Sequence, residues 1–375
     1  MRASLIAAVA AFAAFPCSWC ALEQGMALKF TSLQEFYGHG FDTVIDVRSP
    51  AEFAEDHVPG AISLPVLDND ERAEVGTIYV QDSPFKARKL GAALVFRNAA
   101  NHIEQHLSHH EGSWKPLVYC WRGGQRSGSF TWMLQQIGWR AEVVEGGYQS
   151  YRRLVHKAMY ETALPHRLVA LDGYTGSAKT EVLKRAGELG VQVLDLEGLA
   201  NHRGSLLGDM PSPQPSQKGF ESAVAGVLMR LDPSRPVLVE AESNKIGQRI
   251  IPPAVWDAMK PAPRIELQVP AAERCRYLVE AYDDILSDAD RLRDKLGPLR
   301  AHRSGAVVDG WFARIAEGDK PGLTEALMAE HYDPAYRKSR AAIGAEVIAG
   351  VEAASLDEAG LTAAAERIAG IMAGL

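Results

Sequence analysis

The chain is short of cysteine, with four in 375 residues: Cys17, Cys20, Cys120 and Cys275. Thiols so few and so scattered make no disulfide framework, and a reducing compartment is the expectation. An excess of basic charge is also missing. Forty Lys and Arg stand against 47 Asp and Glu, a formal net charge of −7. Contact with a nucleic acid therefore has to use local basic patches. No internal repeat is visible. What is present is a globular composition, 47% hydrophobic and 23% charged, in a chain long enough for two domains.

The N-terminus, MRASLIAAVAAFAAFPCSWCA, pairs one early arginine with an apolar stretch, in outline a signal peptide. Trp19, Cys20 and Ala21 do not form a clean A-x-A cleavage pattern, and the stretch is too short and alanine-rich for a membrane span. Met26, directly before ALKFTSLQEF, offers a second start. Residues 1–25 read as a leader without structural role, and the Cys17 and Cys20 spacing as accidental. A cytoplasmic location with no membrane contact is expected.

Chemistry concentrates first at LVYCWRGGQRSGS, residues 117–129. The spacing predicts a buried strand over 117–120, a turn at Gly123 and Gly124, and a helix over 127–137. A strand, a glycine turn and a helix N-terminus together make an anion site. Cys120 in that cradle, beside Arg122 and Arg126, should ionise more readily than a free thiol. A buried structural cysteine is the alternative. Strands over 41–46 and 141–144 alternate with helical stretches, which predicts an α/β sheet. Ser49 can cap a helix opened by Pro50, with Glu52 in its first turn. Asp46 and Arg48 read as a strand-end ion pair or a supporting pair for the loop, and His57 as a packing or turn-capping residue. DVRSPAEFAEDHVPGAISLP, residues 46–65, resembles the rhodanese signature, and Cys120 sits where that family carries its persulfide-forming cysteine. The resemblance covers residues 26–155. It implies a catalytic Cys120 that carries a transferred chalcogen, with donors from the loop around it.

Near residue 165 the pattern restarts with a predicted strand over 167–171. GYTGSAKT, residues 173–180, matches G-x-x-x-x-G-K-[ST] except that Ala178 replaces the second required glycine. Gly173, Thr175, Gly176, Lys179 and Thr180 are the candidate phosphate ligands, through backbone N–H groups, a point charge and a hydroxyl. Alanine adds a methyl where the backbone approaches the ligand, which weakens the case for nucleotide hydrolysis. A glycine-rich turn without ligand is the alternative. PVLVEAES, residues 236–243, predicts a strand ending in Glu240 and Glu242, either positioning acids or a solvated pair. No metal site is assigned. From about residue 271 the chain reads as mostly helical, with periodic segments at 286–296, 307–316 and 361–371. The expected fold class is α/β: a rhodanese-like domain over 26–155, then a P-loop NTPase-like domain with a helical C-terminal part over 165–375.

Five further stretches, LDNDERAEVGTIY, LEGLANHRGSLLG, QPSQKGFE, VEAESNKIG and HYDPAYRKS, resemble the tRNA 2-selenouridine synthase family. That resemblance implies action on tRNA bearing wobble 2-thiouridine. Its sulfur is first alkylated from geranyl diphosphate, and selenophosphate then replaces the geranylthiol. No tightly bound cofactor is expected. A thiosulfate sulfurtransferase with an appended phosphate-binding domain, or a non-catalytic tRNA- or phosphate-binding module, would share the two loops. For tRNA phosphates the candidates are Lys86, Lys89 and Arg97, near one helical face in the acid-free stretch 84–103, and Arg152 and Arg153 in YRRLVHK. A solvated helix face is the other explanation of those charges.

Overall fold

Short runs of β-branched and aliphatic residues form the parallel sheets of the computed structural model, which describes residues 27–375. The proposed leader, with Cys17, Cys20 and Met26, lies outside the described residues. The described residues divide into two units: 27–30, 41–48 and 64–148 in one, and 31–40, 49–63 and 149–375 in the other.

In the first unit, β1 (Thr43–Asp46) pairs in parallel with β2 (Pro116–Tyr119), and β2 pairs in parallel with β3 (Glu142–Val143). All four residues of β2 are buried, as expected of a parallel strand covered on both faces. Three helices of this unit are α1 (Asn69–Gln81), α2 (Pro84–His102) and α3 (Gln125–Ile137). α2 opens on a Ser83 cap with Pro84 in its first turn. Its Ala87, Gly91, Leu94, Val95 and Ala99 are buried on one face. Leu94, Val95 and Ala99 join the core that holds Ile45, Val118, Phe130 and Leu134. α3 begins at Gln125, two residues earlier than the apolar periodicity indicates, because Gly124 takes the N-cap position without a side chain. It ends at Gly138, whose φ of 106° is left-handed.

The second unit is built on a five-stranded sheet. β4 (Leu168–Asp172), β5 (Gln192–Leu194), β6 (Val237–Glu240), β7 (Arg264–Gln268) and β8 (Val347–Glu352) are all parallel, in the order β8-β7-β4-β6-β5. From β4 the chain goes out to the β5 edge, returns to β6, and then crosses to β7 and β8. The carboxyl end of β4 therefore lies at the switch point, where open α/β sheets take their ligands. α4 (Lys179–Glu188) buries Val182, Leu183 and Ala186 in a core with Leu171, Leu238, Ile265 and Val351. α5 (Ala271–Ala281) and α6 (Asp333–Ile343) flank a helical region with its own core, including Leu292, Leu296, Val308, Trp311 and Leu327. α7 (Glu358–Ala373) closes the chain against the sheet core through Leu361, Ala365 and Ile368.

β8 departs from the mostly helical reading of this region. It is an edge strand with only Val351 buried, and its short VIAGV run, set among helical segments, shows no strong alternation. Among the described residues, no helix is long and apolar enough to cross a membrane.

Candidate active sites

Cys120 follows β2 at its carboxyl end and is only 3% exposed. The turn beyond it requires glycine for steric reasons. Gly123 has φ of +65°, and a Cβ there would approach the Val144 carbonyl to 2.7 Å. Gly147, at φ +56°, packs so close to the Cys120 carbonyl that a side chain has no room. The Tyr148 N–H donates to that same carbonyl at 2.8 Å, which pins the loop from below. Gly124 then caps α3, and the Ser127 hydroxyl donates to Cys120 Sγ at 3.1 Å. Burial alone would push the thiol up, but the Ser127 hydroxyl and N–H, the Arg126 charge and the Gly124 N–H outweigh it. The thiol is held below its ordinary range. Of the sequence candidates, Arg126 and Gly124 act on the Cys120 thiol and Gly123 makes the turn, whereas Arg122 is solvent-exposed.

Asp46 and Arg48 are both buried, and the Arg48 guanidinium donates to the carboxylate at 2.6–3.0 Å. It also lies 4.0 Å from the centre of the Tyr148 ring. The pair therefore braces the residue that pins Cys120. His57 stacks on Phe53 at 3.8 Å, with Nδ1 2.9 Å from the Phe53 carbonyl, a turn-capping arrangement.

The second loop leaves β4 at Gly173. A Cβ there would meet Ser177 Oγ at 2.7 Å, and one on Gly176, at φ +86°, would meet Leu278 at 2.7 Å. Ala178 adopts a left-handed conformation, φ 55° and ψ 34°. Its methyl packs with the sheet core beside Leu171 and Val182, and Ala178 also lines the cavity beside this loop. What it costs is backbone conformation. Lys179 Nζ donates to the Gly173 carbonyl at 2.9 Å, and Thr180 Oγ1 to Glu197 at 2.8 Å. Both line a cavity of about 550 Å³, together with Lys184, Arg203, Tyr277 and Tyr336. A cavity of this size, lined by backbone N–H groups, a lysine and tyrosine rings, with the Tyr336 ring centre 5.7 Å from Lys179 Nζ, can take an anion bearing an apolar tail.

Four groups from far along the chain hold this loop. Asp172 is fully buried and accepts from the Tyr336 hydroxyl, from Arg264 at 2.9 Å and from the Gly173 N–H at 2.8 Å. Arg340 Nε lies 3.1 Å from Oδ2, the oxygen that Arg264 also reaches. Burial would raise the Asp172 pKa, but Tyr336, Arg264 and Arg340 together hold it low. Arg274 donates to the Thr175 carbonyl at 3.1 Å and is itself gripped by Asp333 at 2.8 and 2.9 Å. Glu240 and Glu242 are not a solvated pair. Burial and the nearby Asp195 and Glu197 push Glu240 well up, while Glu240 accepts from the Leu196 N–H at 3.1 Å. Desolvation and Glu197 push Glu242 up, against the pull of Lys179. Among the described residues no cluster of three or more His, Cys, Asp or Glu is arranged for a metal ion.

Comparison with known proteins meets this geometry from both sides. The Rhodanese-like domain family matches residues 30–154, and the family described as tRNA 2-selenouridine synthase AAA domain matches residues 166–360. A tRNA 2-selenouridine synthase of Alcanivorax borkumensis is 32% identical over 325 residues, covering 78% of this chain and 88% of the relative. The chain belongs to the tRNA 2-selenouridine synthase family. The Aeromonas salmonicida member is 34% identical over 78% of this chain and 86% of its own. The Nitrosomonas europaea member is 35% identical over 68% of each.

Within this family member, the basic candidates separate. Arg152 is not a free surface charge: it donates to the carboxylate of Glu221, whose side chain is 2% exposed, and to the Lys218 carbonyl at 3.4 Å. A carboxylate buried that deeply needs a cationic partner, and this requirement takes Arg152 away from RNA. Arg153 is exposed. Lys86 is drawn to Asp82 at 3.0 Å, Lys89 lies over the Phe85 ring, and Arg97 faces solvent. Sequence reasoning missed Tyr148, Arg264, Arg274 and Arg340 as supports. Asp333 and Tyr336 do lie within HYDPAYRKS, a stretch that the family resemblance had picked out without giving it a role.

Proposed function

We propose that this chain is a tRNA-modifying enzyme that converts wobble 2-thiouridine to 2-selenouridine through an S-geranyl intermediate. The observation that carries the reading is the presence, in one member of this family, of an ionisable thiol in an N–H cradle and a separate phosphate loop with a roomy cavity. Geranyl diphosphate sits with its diphosphate on the Gly173–Thr180 loop, where Lys179 and the backbone N–H groups take up charge as the carbon–oxygen bond breaks. The thiouridine sulfur forms the new bond to the geranyl carbon, and diphosphate leaves. Selenophosphate then supplies selenium, geranylthiol departs, and water removes the phosphoryl group. Cys120 and its loop handle the selenium species, whose negative charge the loop N–H groups and Arg126 offset. The reaction needs tRNA and an unoxidised Cys120, which are conditions of the cytoplasm.

The test is incubation with 2-thiolated tRNA, followed by nucleoside mass analysis. Geranyl diphosphate alone should yield the S-geranyl nucleoside, and addition of selenophosphate should yield the selenonucleoside. Unchanged thiouridine under both conditions would overturn the reading.

A further inference from the structure

Helices α2 and α3 carry an exposed face that the chemistry above does not use. On α2, Phe85, Lys89, Ala92, Ala93, Phe96 and Ala100 are all exposed, and their spacing sets them along one side. Phe85 is 66% and Phe96 42% exposed, and Trp132 on α3 is 51% exposed. The Phe96 and Trp132 rings meet edge to face, with centroids 6.3 Å apart. Single exposed hydrophobics are ordinary, but large aromatic rings left in water side by side point to a partner.

The surroundings say what kind of partner. α2 contains no Asp or Glu, Lys89 lies 5.2 Å from the Phe85 ring centre, and Arg88 and Arg97 flank the row. On α3, Gln125, Gly128, Trp132 and Gln136 are exposed and share one uncharged face. That stripe starts at the turn beyond Cys120. At about 1.5 Å of rise per residue, Trp132 stands roughly 10 Å along the helix from its first residue. An apolar protein partner is a poor match for the cations. A second copy of this chain would bring the same positive face against itself.

We infer that this face is a stacking platform for single-stranded RNA. Unpaired bases lie on Phe96 and Trp132, and Arg88, Lys89 and Arg97 hold the flanking phosphates. Every base has a π face, so aromatic rings set in a cationic surface bind unpaired RNA with little sequence preference. A duplex, whose bases are already stacked, gains nothing from the rings. The inference rests on the tRNA reading and adds which surface takes the nucleotides beside the modified one.

The protein is titrated at two salt concentrations with an RNA stem-loop and with a blunt duplex of equal length. The stem-loop should bind more tightly. Trp132→Ala and Phe96→Ala should each weaken stem-loop binding by about tenfold while leaving the salt dependence and duplex binding unchanged. Trp132→Phe should retain most of the affinity. Lys89→Ala combined with Arg97→Ala should flatten the salt dependence. Both aromatic side chains are exposed, so thermal melts of the variants should match that of the parent. If the parent binds RNA and both aromatic variants bind equally well, the platform is overturned and the tRNA reading stands. A parent that binds neither RNA overturns both. A Trp132→Ala change that turns a dimer into a monomer without weakening RNA binding assigns the face to a second copy and overturns the proposal.

Discussion

The thiol loop and the phosphate loop share one plan, in which a parallel strand ends, glycines turn the chain and a helix N-terminus begins. They differ in what holds them. The Cys120 loop is built from its own neighbourhood: Gly123 and Gly147 leave room for backbone, Tyr148 pins the Cys120 carbonyl, and Ser127 one turn into α3 grips the sulfur. The Gly173–Thr180 loop is held by Arg264, Arg274, Tyr336 and Arg340, which arrive 91 to 167 residues after Gly173. A locally built loop suits a site whose reactive atom belongs to the protein and must sit still. A loop propped by several distant side chains suits a site that has to receive a ligand of some size. Here the props join the loop to α5 and α6, which also line the cavity.

The largest expected effect breaks the comparison at the thiol. Cys120→Ser should leave the fold intact and abolish selenium incorporation, because a hydroxyl does not ionise near neutral pH or form a chalcogen adduct. S-geranylation should persist if it belongs to the phosphate loop alone. Nucleoside mass analysis reads both steps, and full selenation by the serine variant would reduce Cys120 to a structural residue.

The distant support gives the next effect. Asp172→Ala leaves the buried Arg264 guanidinium without its carboxylate, and breaking a buried pair in this way costs about 3–5 kcal/mol. Urea unfolding measures it, and adding Arg264→Met should recover part of the loss. The pH dependence has a definite sign. Asp172 is held lower in the folded chain than in the unfolded one, so its contribution is complete above the unfolded value of about 3.9. The contribution is lost as pH falls through the folded value. The variant should therefore lose less stability than the parent over that acid range, and equal losses would show that Asp172 does not support the loop electrostatically.

These two regions also differ in how much the sequence reveals. Cys120, Gly123, Gly124 and Arg126 lie within seven residues of one another, so strand, turn and helix signals overlap in one short stretch. The G-x-x-x-x-x-K-T spacing made the second loop equally visible. Its props were not visible, because Arg264 sits at the start of a strand and Arg274 on a helix, where a charged residue usually means a solvated face. Arg152 shows the opposite error: beside Arg153 it reads as part of a basic patch, yet its partner is a glutamate 69 residues away. Strand β8 escaped for a related reason, since a short apolar run such as VIAGV cannot be told from a piece of buried helix by periodicity alone.

A smaller effect sharpens the ligand side of the comparison. Lys179→Ala removes the charge that now rests on the Gly173 carbonyl and would turn to a diphosphate. A charge-assisted contact of this kind is worth about 1.5–3 kcal/mol. The dissociation constant for geranyl diphosphate should rise accordingly, with stability nearly unchanged because the lysine is only partly buried. Equal affinity in parent and variant would move the diphosphate elsewhere.

Ala178→Gly should have the smallest effect, and the size of that effect is informative. Alanine in the left-handed region costs about 1–2 kcal/mol relative to a relaxed conformation, and glycine removes that strain. Against this, glycine gives up a methyl packed beside Leu171 and Val182, worth about 0.8 kcal/mol, and adds about 0.4–1 kcal/mol of unfolded-state entropy. The terms nearly cancel, so the unfolding free energy should stay within about 1 kcal/mol of the parent. Binding separates the two accounts of this residue. If the methyl crowded the phosphate, glycine would tighten geranyl diphosphate; because it packs with the sheet core, the dissociation constant should not change. Calorimetric titration of both proteins decides between them, and a clear gain in affinity for the glycine variant would place the methyl in the ligand's path.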